Sequence, residues 1–471
     1  MARLPAILAP GHRHAAIAVA FLILAIVLGG GGTPNPQTEV LLETLTGLAA
    51  LAWLWSPGRL HLPPDRMLWL LASLLALVPA LQLIPLPPSL WQALPGREAQ
   101  IAALELADAA DSWRPLSVSP ARTLASLLSL GPPLLLMLMT GALSTRERQW
   151  LIVTVAGMAI LSSLLGAMQI STGQAAPQLY EKSAHFVVTG FQANRNSTAD
   201  LLLIGLLALA AVAAGRKARQ EQEAAGRASS AGAPSGNAWL GGAALLVLVA
   251  CVLTASRTGI ALIVPVLIAC SFIFIPYRGS ALNRGHLAAA GGILALVLGA
   301  IFLFNHNSAL QKVAARFGLP EDARPGLWAD TWYAIGQYWP FGSGMGTFVP
   351  TFVALEPLEA VDPSIPNRAH NDYFELMLEA GALGVAMFLA CVAVVLFMAW
   401  RSWKGNAGER WQTLFGIATL AVVAAHSTID YPLRSMTVAS LAAVAVGLLA
   451  RPPVRARSGQ SRVAGQAAHS S

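Results

Sequence analysis

Apolar residues come in runs of roughly 17 to 25 along this chain, separated by polar or Pro- and Gly-rich stretches, and a run of that length suffices to cross a bilayer's hydrocarbon core as a helix. The pattern predicts twelve such helices, over 15–30, 38–56, 67–86, 121–143, 150–170, 197–214, 238–254, 258–276, 287–304, 374–400, 412–428 and 433–450. Of the polar stretches, 87–120, 171–196 and 305–373 are long enough to hold structure of their own. The first is punctuated by proline. The last is too long for a connector and too aromatic for a disordered one, with Trp328, Trp332, Tyr333, Tyr338 and Trp339 close together. Leu327, Thr331 and Ile335 share one face at helical spacing, so a helical cap with a helix along the membrane interface is expected there. By contrast, 215–237 is rich in Ala, Gly, Ser and charge and reads as a flexible linker. No internal repeat is evident.

Composition agrees with the pattern. The 471 residues are 55% hydrophobic and 11% charged, with a mean hydropathy of +0.60. That is too apolar for a soluble domain of this size, so the expected class is an all-α polytopic membrane protein. With the N-terminus placed inside, 19 of the 30 Lys and Arg residues fall in inner segments, although the outer segments are together longer. Both termini are therefore expected in the cytoplasm. The net charge of +7 follows from this asymmetry and the anionic inner leaflet, and requires no nucleic acid. The expected organisation is an integral membrane domain over 1–450, containing the large outer loop 305–373, and a disordered basic cytoplasmic tail over 451–471. Cys251, Cys270 and Cys391 all fall inside predicted spans, where they read as small packing residues. The first apolar run ends in Gly29–Gly32 and Thr33-Pro34-Asn35-Pro36 without a small-x-small cleavage site, so it reads as an uncleaved helix.

The segment Ala369-His370-Asn371-Asp372-Tyr373-Phe374-Glu375 leads directly into an apolar run that reaches about Trp400. Ionisable residues against a bilayer-length segment are costly and mark a candidate site. His370, Arg195, Arg257, Arg324, Asp430 and Arg434 are distant in sequence, yet all fall at outer ends of spans or in the large outer loop, so one external cavity can hold them. Arg257 occupies a minimal turn, Thr254-Ala255-Ser256-Arg257-Thr258-Gly259, and an outward arginine runs against the positive-inside bias. Arginine suits a diphosphate, because its planar fork stays charged and donates bidentate hydrogen bonds to phosphate oxygens. An imidazole such as that of His370 titrates near neutrality and suits a general base. The competing reading of His370 is an interface histidine capping the next helix, a task better suited to Asn371 or Asp372. Asp430 can either pair with Arg434 or orient a basic partner. Glu321 and Asp322 are the nearest approach to a carboxylate cluster in the large loop and read as solvated charges, and there is no Gly-rich phosphate loop.

Together, Ala369-His370-Asn371-Asp372-Tyr373 with Glu379-Ala380-Gly381-Ala382-Leu383-Gly384, Ser256-Arg257-Thr258-Gly259, Gly190-Phe191-Gln192-Ala193-Asn194-Arg195-Asn196 and Gly342-Ser343-Gly344-Met345-Gly346-Thr347-Phe348 resemble the bacterial O-antigen ligase and polymerase superfamily, over about 120–450. Gln82-Leu83-Ile84-Pro85-Leu86-Pro87-Pro88-Ser89-Leu90-Trp91 is also similar to its members. The resemblance implies a GT-C-like glycosyltransferase of the lipid-linked-sugar type, in the bacterial inner membrane and active at the periplasmic face. It implies an undecaprenyl-pyrophosphate-linked glycan as donor, neither metal nor cofactor, and an inverting displacement. Arg257 and Arg324 would hold the pyrophosphate, and His370 would activate or position the acceptor hydroxyl. Arg195 is a third candidate phosphate ligand, although related sequences often carry another residue between the two asparagines. Asn371, Asp430 and Arg434 would support the site.

The acceptor distinguishes a ligase, which uses a sugar of the lipid A core, from an O-antigen or exopolysaccharide polymerase, which uses a second lipid-linked repeat. The ligase is the favoured expectation. Transfer to a protein hydroxyl has no dedicated feature. A reading from another class is an anion or solute transporter that uses the same arginines, but transporters favour charges near the bilayer midplane rather than at the rim. The topology is directly testable: a cysteine introduced at 340 should react with an impermeant thiol reagent from the periplasm, and one at 225 only from the cytoplasm. The reverse pattern at either position contradicts the scheme.

Overall fold

The computed structural model describes residues 12–31, 36–56, 62–172, 177–180, 187–225, 238–274, 324–356 and 365–453. The expected ninth span (287–304), Glu321 and Asp322, 226–237 of the expected linker and all but the first residues of the tail lie outside the described residues. Helices occupy the other eleven expected stretches. In chain order they are α1 (Arg13–Leu28), α2 (Pro36–Trp55), α3 (Arg66–Gln82), the short α4 (Pro88–Trp91) and α5 (Glu98–Glu105), α6 (Pro120–Leu128), α7 (Gly131–Ala142), α8 (Thr145–Thr172), α9 (Arg195–Ala225), α10 (Ala238–Leu253), α11 (Arg257–Phe274), α12 (Arg324–Tyr338), α13 (Phe348–Leu355), α14 (Asp372–Trp403), α15 (Arg410–His426) and α16 (Met436–Leu449). Strand is confined, among the described residues, to β1 (Pro85–Leu86) paired antiparallel with β2 (Arg114–Pro115).

Among the described residues, five stretches are long and apolar enough to cross a membrane: Pro120–Ala142, α8, Arg195–Glu221, α11 and α14; α1, α3, α16 and Trp239–Leu253 are shorter apolar helices. The chain is thus an all-α, multi-pass membrane protein. Two expected boundaries shift. Gly131-Pro132-Pro133 divides the expected span 121–143 into α6 and α7, since proline disfavours helix in the residue before it. The helix after Arg195 runs eleven residues past its expected end, to Ala225, because the first part of the expected linker is built of strong helix formers such as Arg216, Lys217, Arg219, Gln220 and Glu221.

Most of α9 is interior and α14 is mostly peripheral, with 89% and 17% of their apolar windows buried against protein. α9 packs against α8, α10, α11 and α15. At the end of the bundle where α7 and α16 terminate, Arg148 is 2% exposed and uses its whole guanidinium on backbone carbonyls. Nε donates to Thr140 O and Leu143 O at 3.1 and 3.0 Å, Nη2 to Gly141 O at 2.9 Å, and Nη1 to Ala450 O and Leu448 O at 2.7 and 3.3 Å. One cation thereby satisfies carbonyls left without helical partners at two C-termini.

At the opposite end, α12 and α13 fold over the start of α14. Ala334, Ile335, Tyr338, Phe348, Phe352 and Leu378 share a small core there. The predicted stripe Leu327, Thr331, Ile335 faces this core, with Thr331 and Ile335 buried, while Trp332 and Tyr333 point outward. α14 is not continuous: Gly381 has φ 57° and ψ −150°. The segment 340–345 occupies the break. Ser343 N donates to Leu378 O at 2.9 Å, Gly344 N to Glu379 O at 2.8 Å, and Ala382 N to Pro340 O at 2.8 Å. Gln82 at the end of α3 completes the clasp, with Nε2 on Glu379 O and Oε1 accepting from Met345 N, both at 2.8 Å.

A Cβ on Gly381 would collide with the Pro340 carbonyl, in a backbone region that side-chain-bearing residues rarely adopt. Gly381→Ala should therefore destabilise the protein by about 1–3 kcal/mol, read as a lower unfolding temperature in detergent. A melting temperature equal to wild type would show that the break tolerates a side chain.

Candidate active site

The clasped end of the bundle gathers the ionisable residues. The turn before α14 is built by three successive conformations. Ala369 is buried, and its N–H donates to Glu375 Oε1 at 2.9 Å. His370 takes a left-handed conformation with φ 51°, which histidine tolerates better than most residues. Asn371 is extended and caps α14, its Oδ1 accepting from Tyr373 N and Phe374 N at 3.0 and 3.1 Å. Because Asn371 performs the capping, the imidazole of His370 is available for another partner. Its Nδ1 lies 2.9 Å from Asp430 Oδ1, and its ring stands edge-on to Tyr431, with centroids 4.9 Å apart. The His370 side chain is 31% exposed, whereas that of Asp430 is 4% exposed. Asp430 does not pair with Arg434.

Asp430 accepts a second hydrogen bond, from Asn196 Nδ2 to Oδ2 at 2.6 Å. Burial alone would raise its pKa. The hydrogen bond from His370, the charges of His426 and His370 and the Asn196 contact more than offset it, so its carboxyl titrates below the ordinary carboxylate range. With an ionised acceptor at Nδ1, the neutral His370 tautomer carries its proton there. The lone pair is then on Nε2, at the exposed edge of the ring.

Asn196 comes from the first turn of α9, where Asn194 Oδ1 accepts from Asn196 N at 2.8 Å. The intervening Arg195 opens that helix, and its Nη1 is buried without a hydrogen-bond partner among the described residues. Arg257 opens α11 at the same end of the bundle and is exposed. The two helix starts are neighbours, since a Cβ on Gly259 would collide with that of Ala199. Ser256 Oγ caps α11 by accepting from Gly259 N at 3.1 Å. Arg324 opens α12 and is close enough to His426 to act on it electrostatically. One helical turn later, Trp328 Nε1 donates to Ala369 O at 2.9 Å, tying α12 to the His370 turn.

Arg434 lies apart from Asp430, in the 3-10 turn Pro432–Arg434. Its Nη2 is 2.7 Å from Glu379 Oε2 and 3.2 Å from Glu375 Oε2, and its Nε is 4.0 Å from Asp372 Oδ1. Burial would weaken its hold on a proton, but the charges of Glu379, Glu375 and Asp372 more than offset this and the guanidinium stays ionised. Arg434 thus serves as a counter-ion of the α14 carboxylates, joined at Glu375 by Arg368, whose Nη1 is 3.3 Å from Oε2.

Four further polar residues meet here that were not among the candidate site residues: Asn196 and Glu379, each within a quoted motif, and Asp200 and His426. His426 Nδ1 is 2.6 Å from Asp200 Oδ1, and His426 Nε2 is 3.9 Å from Asp430 Oδ2. A signal for Asp200 was present, because a carboxylate four residues after Asn196 at the start of an apolar run sits on the same helical face and is costly unless paired. Among the described residues, no group of three or more His, Cys, Asp and Glu side chains is arranged to hold a metal.

Residues 242–389 match the family model described as O-antigen ligase. The match supports the resemblance to the O-antigen ligase-related superfamily over about a third of the chain. The matched region contains Arg257, Arg324, His370 and Asn371, while Arg195, Asp430 and Arg434 flank it. No curated protein matches the chain. The family so matched is one of ligase- or polymerase-type glycan transfer, acting in general on lipid-linked glycan and lipid A core.

The depressed titration of Asp430 makes it a pH-dependent support. A carboxyl whose folded pKa lies below its unfolded value stabilises the fold above the unfolded pKa, and that contribution vanishes as pH falls through the folded one. Asp430→Asn should therefore lower the unfolding temperature at pH 7, and the two proteins should begin to converge only as pH falls below about 4, toward the depressed folded pKa. A difference that persists at acid pH would assign the loss to packing rather than charge.

Proposed function

We propose that this cluster is the catalytic centre of an inverting, metal-independent glycosyltransferase. It moves a glycan from undecaprenyl pyrophosphate to an acceptor hydroxyl, and the acceptor is a sugar of the lipid A core. The observation that carries the reading is the 2.9 Å contact between His370 Nδ1 and Asp430, which leaves Nε2 as the basic nitrogen at the partly exposed edge of the ring. In the reaction the acceptor oxygen bonds to the anomeric carbon as its proton passes to His370 Nε2. The bond from that carbon to the pyrophosphate breaks on the opposite face, and the diphosphate departs with the electron pair.

The leaving group is already good, so positioning the acceptor and neutralising the departing charge are the protein's main tasks. Arg195, Arg257 and Arg324 are suited to the second. Each opens a helix, so the guanidinium and the positive end of the helix dipole reinforce one another. The buried, unpartnered Nη1 of Arg195 is a donor whose natural complement is an anion.

The distribution of charge supports an active site at the periplasmic face of the inner membrane, with both termini in the cytoplasm. Arg13, Arg66, Arg146, Arg216, Arg401 and Arg410 lie at the end of the bundle away from His370, as positive-inside orientation requires. The cap of α12 and α13 belongs to the proposed periplasmic loop 305–373. The site lies at helix termini rather than mid-helix, which favours an enzyme over an anion transporter.

In membranes supplied with purified lipid-linked donor and lipid A core, His370→Ala should lower transfer by about 100- to 10,000-fold while leaving donor binding intact. Arg257→Ala and Arg324→Ala should each cost about 1.5–3 kcal/mol of donor binding, with lysine restoring only part because it lacks the fork. Normal transfer by the His370→Ala variant at matched protein amounts would reject the base assignment. Product formed only when a second lipid-linked repeat is the acceptor would reassign the protein as a polymerase.

A further inference from the structure

Behind Asp430 lies a second imidazole–carboxylate pair that the reaction as described does not use. His426, the last residue of α15, and Asp200, one helical turn after Asn196 in α9, are both fully buried and meet at 2.6 Å. Such a pair has no access to substrate. Each nevertheless keeps one polar atom without a hydrogen-bond partner among the described residues: His426 Nε2 and Asp200 Oδ2. The unsatisfied His426 nitrogen is the one that lies 3.9 Å from Asp430 Oδ2, the oxygen already held by Asn196. Asp200, His426, Asp430 and His370 therefore form a file of alternating acid and imidazole from the bundle interior to the exposed edge of the site. An unsatisfied ring nitrogen in the interior is costly unless it serves a charge.

We propose that the Asp200–His426 couple is a positioning device for the His370 base, which presents His426 to the far side of Asp430 and so tempers the pull of that carboxylate on the His370 ring. The inference rests on the reading of His370 as general base. With protons on both nitrogens, His426 donates to Asp200 and presents its positive charge to Asp430. That charge opposes protonation of His370 on the far side of the same carboxylate, whereas Asp430 by itself would favour it. The groups that bear on His426 are Asp200 from α9, Asp430 from the 427–435 turn, His370 beyond it, and Arg324 from α12, which acts in the same sense as His426 does on His370. Cys251 of α10 adjoins Asp200 electrostatically, and Arg257 opens the neighbouring α11. Neither His426 nor Asp200 touches the reacting atoms.

The test is the pH dependence of glycan transfer by the full-length protein in membranes. His426→Gln retains a group able to hydrogen-bond Asp200 but carries no charge. Its acid limb should move to higher pH by about one unit, so that turnover falls about tenfold near pH 6 and recovers toward alkaline pH, with KM for the donor little altered. Asp200→Asn, nearly isosteric, removes the acid that holds the His426 proton and should shift the limb in the same direction. The double variant should shift no further than His426→Gln alone, because both act through one proton. An acid limb that coincides with wild type in both single variants, or a loss that is uniform across pH, overturns the proposal. So does failure of both variants to insert, which would make the pair a packing element only. These outcomes are separate from the fate of the base assignment: a His370→Ala variant that transfers normally removes that assignment, whereas inactive His370→Ala with unshifted His426→Gln removes only the positioning role.

Discussion

Arg434 and the three carboxylates of Asp372, Glu375 and Glu379 hold the clasped end of this molecule together. Glu375 and Glu379 are fully buried, and an unpaired carboxylate at that depth would be neutral or would unfold its surroundings. Arg434 reaches both within 3.2 Å. Because the arginine sits in the turn between α15 and α16 and the acids lie on α14, their pairing fixes that turn against the helix. The carboxylates also organise backbone on their other oxygens. Glu379 Oε1 accepts from Phe348 N at the start of α13, Glu375 Oε1 from Ala369 N, and Asp372 Oδ2 from Ser427 Oγ and Leu433 N. Removing one partner from such a knot costs about 3–5 kcal/mol, because the remaining charge is stranded.

The position of Asp430 follows from this arrangement. It lies between Ser427 and Leu433, both tied to Asp372, so its carboxylate is delivered to His370 by backbone anchored on either side. The break in α14 at Gly381 serves the same end. A continuous helix would have no carbonyls to spare for the 340–345 segment, and the α12–α13 cap would lose its seat. The left-handed His370 and the capping Asn371 divide two tasks between adjacent residues, one facing the carboxylate and the other the helix.

For a glycosyltransferase acting on a lipid-linked donor, the proposed arrangement separates its charges sensibly. The arginines proposed to bind the diphosphate open helices at the rim, where a group at the membrane surface can reach them. The proposed base is held by an acid that comes from the bundle itself. The file that ends in Asp200 extends this electrostatic design inward, to a depth where each charge is screened little by solvent.

The multi-helix class and eleven of the helices were legible in the sequence, because hydrocarbon thickness dictates the length of an apolar run and lipid tolerates little backbone other than helix. The helix over Arg324–Tyr338 was legible for a related reason, since its buried face repeats at helical spacing. Pairing was not legible. Nothing in His426-Ser427-Thr428-Ile429-Asp430-Tyr431-Pro432-Leu433-Arg434 says that Asp430 turns to His370 and Arg434 to Glu379, because partners 60 and 55 residues away are chosen by how helix ends converge. Asp200 and His426 passed as incidental polar residues for the same reason. A sequence shows which charges a membrane protein must neutralise, but only the packed bundle decides which of them meet.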